Sequence, residues 1–318
     1  MTPADRPAGV GLSADRRVVE AGVVAIMAVW AANFVVVKGA IELVPPVAFT
    51  FVRYALASAA LLVLLRWSEG AVRLPRPDSW RMLVLGGLGF GVYQILWTVG
   101  LQTIPAGDSA LLIAATPVFT AVIAVLIGTD TLPPRKAIGV ALSFLGVVLV
   151  VAAGVGIELT GSPVGFALTL LAALCWATYT AFGARFLRRH SPLVLTTWAT
   201  IGGTLVLATI GVPQLLAPGA ISAAASEDVV PLVLAVAYSG ILAAAIANIV
   251  VFHGVQMLGP TRVTTIQALV PAMAVVFAFL FLGEPIHLGQ VIGGAIIVGG
   301  VALTRIPMRR AVHSGGPA

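Results

Sequence analysis

The segment AANFVVVKGAIE, residues 31–42, places Asn33, Lys38 and Glu42 inside an apolar helical pattern. A second base, Arg53, follows in the next apolar segment. A basic side chain at the centre of a membrane helix costs roughly 2.5–3.5 kcal/mol. Since Glu42 lies one helical turn from Lys38, we expect it to pair with one of the two bases, which leaves one positive charge over. That charge fits the carboxylate of a solute; the alternative is a structural or gating cluster, with Lys38 reaching towards the membrane interface.

Amide and aromatic side chains recur near the middle of the apolar segments. Aromatic walls with a few amides suit an amphipathic or zwitterionic metabolite, and Tyr93, Gln94 and Trp97 share one helical face. The alternatives are packing, a position in the interfacial aromatic belt, and, for Asn33, a hydrogen bond between helices. The predicted substrate-binding set is Trp30, Asn33, Lys38, Arg53, Tyr93, Gln94, Trp97, Trp176, Tyr179, Tyr238 and Asn248.

The elements that must position these residues are membrane-spanning helices. Hydrophobic residues make up 59% of the 318 residues, charged residues only 9%, and the mean hydropathy is +1.07. Soluble domains carry about 25% charged residues, so this chain lacks the polar surface of a soluble protein. A span needs about 20 apolar residues. The sequence therefore predicts an all-α integral membrane protein in a lipid bilayer, with ten spans near 18–41, 46–65, 82–103, 107–127, 135–154, 163–184, 193–215, 231–252, 262–282 and 287–304.

The positions of the basic residues predict the orientation of the spans. Lys38 and Arg53 lie within spans, and the other sixteen of the 18 Lys and Arg residues fall on the side of the two termini. Because Lys and Arg are retained on the cytoplasmic side, we expect tails 1–17 and 305–318 to be cytoplasmic, in a multi-pass protein of the cell (inner) membrane. The basic residues sit in separate short loops, which argues against a nucleic-acid-binding face.

The chain contains an internal repeat. A shift of 154 residues lays segment 101–130 over 255–284, and a shift of 146 residues sets Trp30 on Trp176. Each copy has five spans, and an odd number makes the second copy enter the membrane from the opposite side. We therefore predict two inverted five-helix repeats, 18–154 and 163–304. Inverted repeats are typical of alternating-access carriers, although a duplication can also merely enlarge a helix bundle.

Two prolines occupy corresponding positions in the repeats. Pro117 falls in the fourth span and Pro271 in the ninth, at positions related by the shift of 154 residues. Proline removes one helical hydrogen bond and clashes with the preceding turn. Symmetric breaks beside a solute path would serve as hinges. A static kink satisfied by neighbouring helices is the equal alternative.

Several motifs together resemble a known family. The opening WAANFVVVKGAIELVPPVAFTFVRYALASAALL, and the paired blocks ATPVFTAVIAVLIGTDTLPPRKAIGVALSFLGVVLV and LVPAMAVVFAFLFLGEPIHLGQVIGGAIIVGGVAL, are similar to EamA-type members of the drug/metabolite transporter superfamily. The resemblance covers residues 20–305. Asp130 departs from it, because the family usually has Glu there. The resemblance implies ten spans, cytoplasmic termini and small-molecule transport, often export, but it does not name a solute.

The rival class is an intramembrane enzyme, which needs a nucleophile and base or metal ligands within spans. The four histidines lie in loops, tails or helix ends, Cys175 is the single cysteine, and neither HExxH nor GxSxG occurs. No catalytic residue, metal site or cofactor is therefore predicted. A non-transporting membrane subunit is a further alternative. We expect a carrier that exports an amino-acid-like amphipathic or zwitterionic solute and functions as a monomer.

The positions of the acidic residues bear on how transport is driven. None of the 12 acidic residues falls at the membrane centre in this span assignment. Proton-coupled carriers often keep a carboxylate at that depth. The sequence therefore favours facilitated diffusion or exchange, with coupling through Lys38 or the acidic residues at helix ends left open.

Overall fold

The computed structural model describes residues 16–70, 78–128, 131, 133–154, 162–183, 185–219, 228–258, 263 and 266–305. Eight helices within these ranges are long and apolar enough to cross a membrane, and two shorter apolar helices follow. The predicted all-helical architecture of ten spans is confirmed. The helices are α1 Arg16–Leu43, α2 Pro46–Glu69, α3 Ser79–Leu101, α4 Ala106–Leu126, α5 Pro134–Gly154, α6 Pro163–Gly183, α7 Pro192–Leu216, α8 Val229–Val251, α9 Leu269–Leu282 and α10 Leu288–Arg305.

Proline and glycine set several helix ends. Helices α2, α5, α6 and α7 each begin with proline, whose fixed φ and missing N–H suit the first helical turn. Gly70 ends α2 at φ 71° and Gly283 ends α9 at φ 68°. Only glycine adopts this left-handed conformation without strain. These local signals explain why the predicted boundaries were close.

Consecutive helices run antiparallel, so the bundle has two ends. The terminal end holds Arg16 of α1 and the last residue of α10. The far end holds the turn 101–106 between α3 and α4 and the turn 283–287 between α9 and α10. Residues 1–15 and 306–318 and Asp130 lie outside the described residues, as do six of the sixteen basic residues predicted in loops and tails: Arg6, Arg73, Arg76, Arg262, Arg309 and Arg310.

The two halves pack with inverted symmetry. Helix α1 packs on α9 and α4 packs on α6, while the fifth helices, α5 and α10, pack on each other. At the contact of the two second helices, Ser58 Oγ of α2 lies 2.9 Å from Thr204 Oγ1 of α7. These two residues are 146 apart, the shift that relates the first helices of the repeats. The pseudo-twofold axis therefore passes through this contact.

Two further crossings are equivalent in the halves. Helix α3 crosses α7 where Gly86 meets Ala199, and α8 crosses α2 where Gly240 meets Arg53. A Cβ at Gly86 would collide with the carbonyl oxygen of Ala199, and a Cβ at Gly240 would lie 2.5 Å from that of Arg53. The shifts of 154 and 146 residues map one pair onto the other. Both crossings need glycine because backbone touches backbone.

A π-helical stretch lies beside each crossing. The stretch in α3 is Gly87–Val92, and the stretch in α8 is Tyr238–Ile246. π-helical turns are uncommon and occur often at functional sites. They widen the helix at the level where Arg53 and its neighbours lie. The third helix of each repeat therefore carries the same backbone irregularity.

Helices α4 and α9 are interrupted at the positions that the prolines marked. A turn at residues 114–115 splits α4, and Pro117 lies in the first turn of its second piece, Thr116–Leu126. Thr116 Oγ1 donates to the carbonyl of Ile113 at 2.6 Å. In the second half a turn at Ala268 precedes α9, with Pro271 in its first turn. The breaks are symmetric, and their use as hinges stays a prediction.

Candidate functional site

Arg53 lies at the α2–α8 crossing and joins the two halves. Its side chain is buried, with the residue 2% exposed. Its Nη1 donates to Ser239 Oγ of α8 at 2.8 Å, and its Nη2 donates to Gln94 Oε1 of α3. Ser239 Oγ in turn donates to Asn33 Oδ1 of α1 at 2.6 Å. One guanidinium therefore connects three helices directly and a fourth through a serine.

The Arg53 charge has only neutral partners among the described residues. No carboxylate there lies within ion-pair distance of the guanidinium, and its buried Nε atom has no hydrogen-bond partner. Gln94 Nε2 donates to Tyr54 Oη at 2.7 Å, which fixes the orientation of the amide. Removing an unpaired charge from water costs several kcal/mol. The site can therefore gain a strong interaction with an anionic group that approaches Nε.

Aromatic rings surround this polar network. The Arg53 Cζ atom lies 4.9 Å from the ring centroid of Tyr54 and 5.7 Å from that of Trp97. Tyr93 stacks on Trp97 at 6.4 Å and approaches Trp176 at 5.4 Å. Trp176 lies 5.2 Å from Tyr179. We call this set the aromatic cluster: Phe34, Phe49, Tyr54, Phe90, Tyr93, Trp97, Trp176 and Tyr179.

The structure thus brings together seven of the predicted residues and separates four. The seven are Asn33, Arg53, Tyr93, Gln94, Trp97, Trp176 and Tyr179. Trp30 and Tyr238 tie α1 to α8 instead: Trp30 Nε1 donates to the carbonyl of Ala243 at 3.0 Å, and Tyr238 Oη donates to that of Val29 at 2.8 Å. Asn248 donates to Ala244 of its own helix.

Lys38 lies at the far end, away from the aromatic cluster. Its Nζ donates to the carbonyls of Leu101 at 2.6 Å and Ile104 at 3.0 Å, so it caps the C-terminus of α3. The expected pairing with Glu42 is wrong for the described residues, because Glu42 is exposed and makes no ion pair there. Lys38 and Arg53 lie at different depths. The Arg53 guanidinium reaches the level of Asn33, five residues deeper along α1.

An apolar groove of about 540 Å³ opens beside the site. It runs from the far end, at Leu43 and Pro231, down to Tyr238, the residue before Ser239. Below it, the Trp30 and Tyr238 hydrogen bonds hold α1 and α8 together. We call it the α1–α8 groove. Its lining residues are Val35, Val36, Gly39, Ala40, Leu43, Pro231, Leu232, Leu234, Ala235, Tyr238 and Leu282.

Sequence reasoning missed several members of the site. Ser239 was overlooked because a lone serine in an apolar run is common, and only its place before Gly240 in the repeat could have drawn attention. Tyr54 and Phe90 also belong to the site, although the predicted substrate-binding set did not include them. In the described part of the chain, no three His, Cys, Asp or Glu side chains converge as metal ligands.

A solved structure shows the same fold. One crystal structure of a protein with 18% sequence identity superposes with a TM-score of 0.63 over 90% of this chain and 96% of that chain. At this identity the likeness concerns the fold alone. The inverted ten-helix architecture is therefore found in a protein with little sequence in common.

Relatives and a family model give the identity. The "Uncharacterized transporter YdfC" of Bacillus subtilis is 28% identical over 90% of both chains. The "Probable terminal-alkyne amino-acid exporter" of Streptantibioticus cattleyicolor is 28% identical over 86% of this chain and 89% of its own. The model of the EamA-like transporter family matches twice, at residues 19–152 and 163–306. The chain therefore belongs to the EamA-like transporter family and is a multi-pass membrane protein, not a member of an enzyme family.

Proposed function

We propose that this transporter exports a small amphipathic or zwitterionic solute, amino-acid-like in its chemistry, by alternating access between its two halves. The inverted repeat supports this, because two pseudo-symmetric halves let one central site face either side of the membrane. The Streptantibioticus cattleyicolor relative is named "Probable terminal-alkyne amino-acid exporter", which supports the substrate class and the direction.

The observation that carries the proposal is the buried Arg53 without a carboxylate partner. Its guanidinium lies where α2 and α3 of the first half meet α8 of the second. A carboxylate of the solute would supply the missing negative charge, and a hydrogen bond to Nε would satisfy that atom. The aromatic cluster would hold the apolar part of the same solute. The site thus matches a molecule with one anionic end and one apolar end.

The α1–α8 groove is the proposed approach from the far end. It is apolar along its length and stops at Tyr238, one residue from the hydrogen-bond partner of Arg53. The hydrogen bonds of Trp30 and Tyr238 then close the route between α1 and α8. Breaking these two bonds would connect the groove with the polar network. The breaks before Pro117 and Pro271 are the proposed hinges for that movement.

We further propose that both termini are cytoplasmic, in the cell (inner) membrane, and that one chain suffices for transport. The retention of Lys and Arg on the cytoplasmic side supports the orientation. A single cysteine at position 43 of a Cys175→Ser chain should react with an impermeant maleimide added outside intact cells. A cysteine at position 185 should react only after lysis. The reverse pattern would place the termini outside.

Flux into proteoliposomes tests the substrate class. A panel of labelled amino acids should enter vesicles that hold the protein, whereas the corresponding decarboxylated amines should not. Arg53→Gln should remove the flux at normal protein yield, and Arg53→Lys should restore part of it. Arg66→Gln is the matched control, since Arg66 lies on the same helix and bonds only the carbonyl of Gly70 among the described contacts. Equal flux of amino acids and amines would contradict the proposal.

A further inference from the structure

The far end is held closed by charged side chains from both halves. Glu284, in the turn after α9, accepts hydrogen bonds from Ala106 N at 2.7 Å and Gly107 N at 3.1 Å. These are free N–H groups at the start of α4, where a negative charge is stabilised. Lys38 of α1 binds the carbonyl end of α3 across the same turn. The α3–α4 turn is therefore fixed on both sides.

Beside this turn lies a buried acid that the proposed solute site does not use. Asp108 is in the first turn of α4, and the residue is 1% exposed. Its Oδ1 accepts a hydrogen bond from Gln290 Nε2 of α10 at 2.5 Å. Gln290 Oε1 accepts from the backbone N of His287 at 3.2 Å, so the amide must present its NH₂ group to the acid. The described side-chain partner of Asp108 is thus neutral.

The charges around Asp108 do not balance. Of the described helices packed on the first piece of α4, α1 brings Lys38, whose Nζ is bound to carbonyls, and the exposed Glu42. The turn after α9 brings Glu284 and the half-buried His287. The titratable residues of helix α6 are Cys175 and Tyr179, which bring no positive charge, and the bases of α5 lie at the terminal end. No described base is within ion-pair distance of Asp108.

We propose that Asp108 is a proton-binding site whose occupancy is linked to closure of the far end. The buried carboxylate of Asp108 and the half-buried carboxylate of Glu284 face one ammonium there, and one proton makes the group neutral. A buried carboxylate without a paired base costs several kcal/mol, so the proton stabilises the closed form. Opening separates α4, in the first half, from Glu284 and Gln290 in the second. Water then reaches Asp108, and the proton leaves to it.

The inference rests on the proposed alternating access and adds a coupled ion to it. A proton bound on closing and released on opening links solute movement to a proton gradient, because a ligand that prefers one of two states shifts their populations. The sequence favoured facilitated diffusion, since no acid lies at the membrane centre. Asp108 lies at the far end, but the neighbouring helices bury it, so its carboxylate is as shielded from water as one at the membrane centre would be.

Infrared spectroscopy tests the site without any solute. In wild-type protein in phosphatidylcholine vesicles, a pH titration should show the carbonyl stretch of a protonated carboxylic acid. Asp108→Asn should lose that band. Glu42→Gln is the matched control, because Glu42 is an exposed carboxylate at the same end of the bundle, and it should keep the band. A band that survives in Asp108→Asn, or no band in the wild type, overturns the proposal.

Cysteine labelling tests the link to closure. Ala110 is buried one turn after Ala106. In a Cys175→Ser chain, the reaction of Ala110→Cys with a water-soluble maleimide should slow as the pH falls, relative to the same cysteine in denatured protein. The slope should approach about tenfold per pH unit, as for one linked proton. Asp108→Asn should react slowly at every pH.

The two experiments separate the proposals. If the corrected labelling rate is independent of pH in the parent chain, the link to closure is wrong even where flux is normal. If no amino acid is transported but the band and the labelling behave as expected, the substrate class is wrong and the proton site stands. Loss of the pH dependence in Glu42→Gln as well would show that the linked proton is not specific to Asp108 and would overturn the inference.

Discussion

The α2–α8 and α3–α7 crossings have the same backbone geometry and different chemistry. At each, a glycine of the third helix lies against a backbone carbonyl of the second helix of the other half. The carbonyl belongs to Arg53 at one crossing and to Ala199 at the other. Both crossings therefore have the same backbone arrangement, but only the α2–α8 crossing carries a charged side chain, that of Arg53. Because the two crossings are alike in backbone geometry, both halves can undergo the same conformational change. Because only one crossing has an arginine, a solute bound there would have one orientation.

The neighbours of the two crossings differ in the same way. Gln94 binds Arg53, but its repeat mate Asn248 bonds its own helix. Asn33 belongs to the polar network, and its repeat mate is Tyr179, whose buried Oη has no partner. Polar groups thus occur at both crossings, but they form a connected network only around Arg53.

The largest effect is expected at the crossing glycines. Gly86→Val and Gly240→Val should each abolish stable protein, at a cost of more than about 4 kcal/mol, because a side chain cannot fit between two backbones. Thermal unfolding and the yield of monodisperse protein in detergent measure this. Gly39→Ala is the control, since nothing lies within 4 Å of a Cβ there. If only one of the two variants failed, the crossings would not be equivalent.

An arginine placed at the α3–α7 crossing should not replace Arg53 in transport. We expect Arg53→Ala with Ala199→Arg to transport at least about 100-fold less than wild type, because two hydrogen bonds of a charged group contribute about 1.5–3 kcal/mol each, together at least about 3 kcal/mol. The α3–α7 crossing offers no counterparts of Ser239 and Gln94 in the same arrangement. Initial rates in proteoliposomes at matched protein content measure this. Restored flux would show that either crossing can hold the solute.

The repeat mates Gln94 and Asn248 should differ in effect. Gln94→Leu should lower the flux about tenfold, since it leaves a buried guanidinium N–H unsatisfied. Asn248→Leu should change it by less than about twofold, because its amide bonds only a carbonyl that its own helix already satisfies. Both changes replace an amide with the same apolar side chain, so each controls for the other. The opposite ranking would place the solute nearer the terminal end of α8.

The smallest effect is expected on the pseudo-twofold axis. Ser58→Ala removes the hydroxyl pair with Thr204 and should lower the free energy of unfolding by about 0.6 kcal/mol, the typical value for a hydrogen bond between membrane helices. Flux should be unchanged. Thermal unfolding against Thr209→Val, whose hydroxyl bonds its own helix, measures the difference. A large loss of flux would make the axis part of the solute path.

Much of the site was predictable, and the part that was not depended on distant partners. Tyr93, Gln94 and Trp97 were grouped correctly, because spacing along one helix defines a face. The partners of Lys38 were not predictable, since its carbonyl acceptors lie 63 to 66 residues away. Ser239 lies 186 residues from Arg53 and 206 from Asn33. A serine gives no sign in the sequence of a contact at such separation.

The class of protein, the ten apolar helices and the opposite polarity of the two copies could be predicted without coordinates. These follow from hydropathy, proline and glycine positions and an odd number of spans, all of which are local or countable along the chain. That Arg53 meets neutral partners, that Lys38 caps a helix and that Asp108 is buried at the far end became known from the helix packing alone. Those environments depend on which helices of one half lie against the other, and packing across the pseudo-twofold axis sets that.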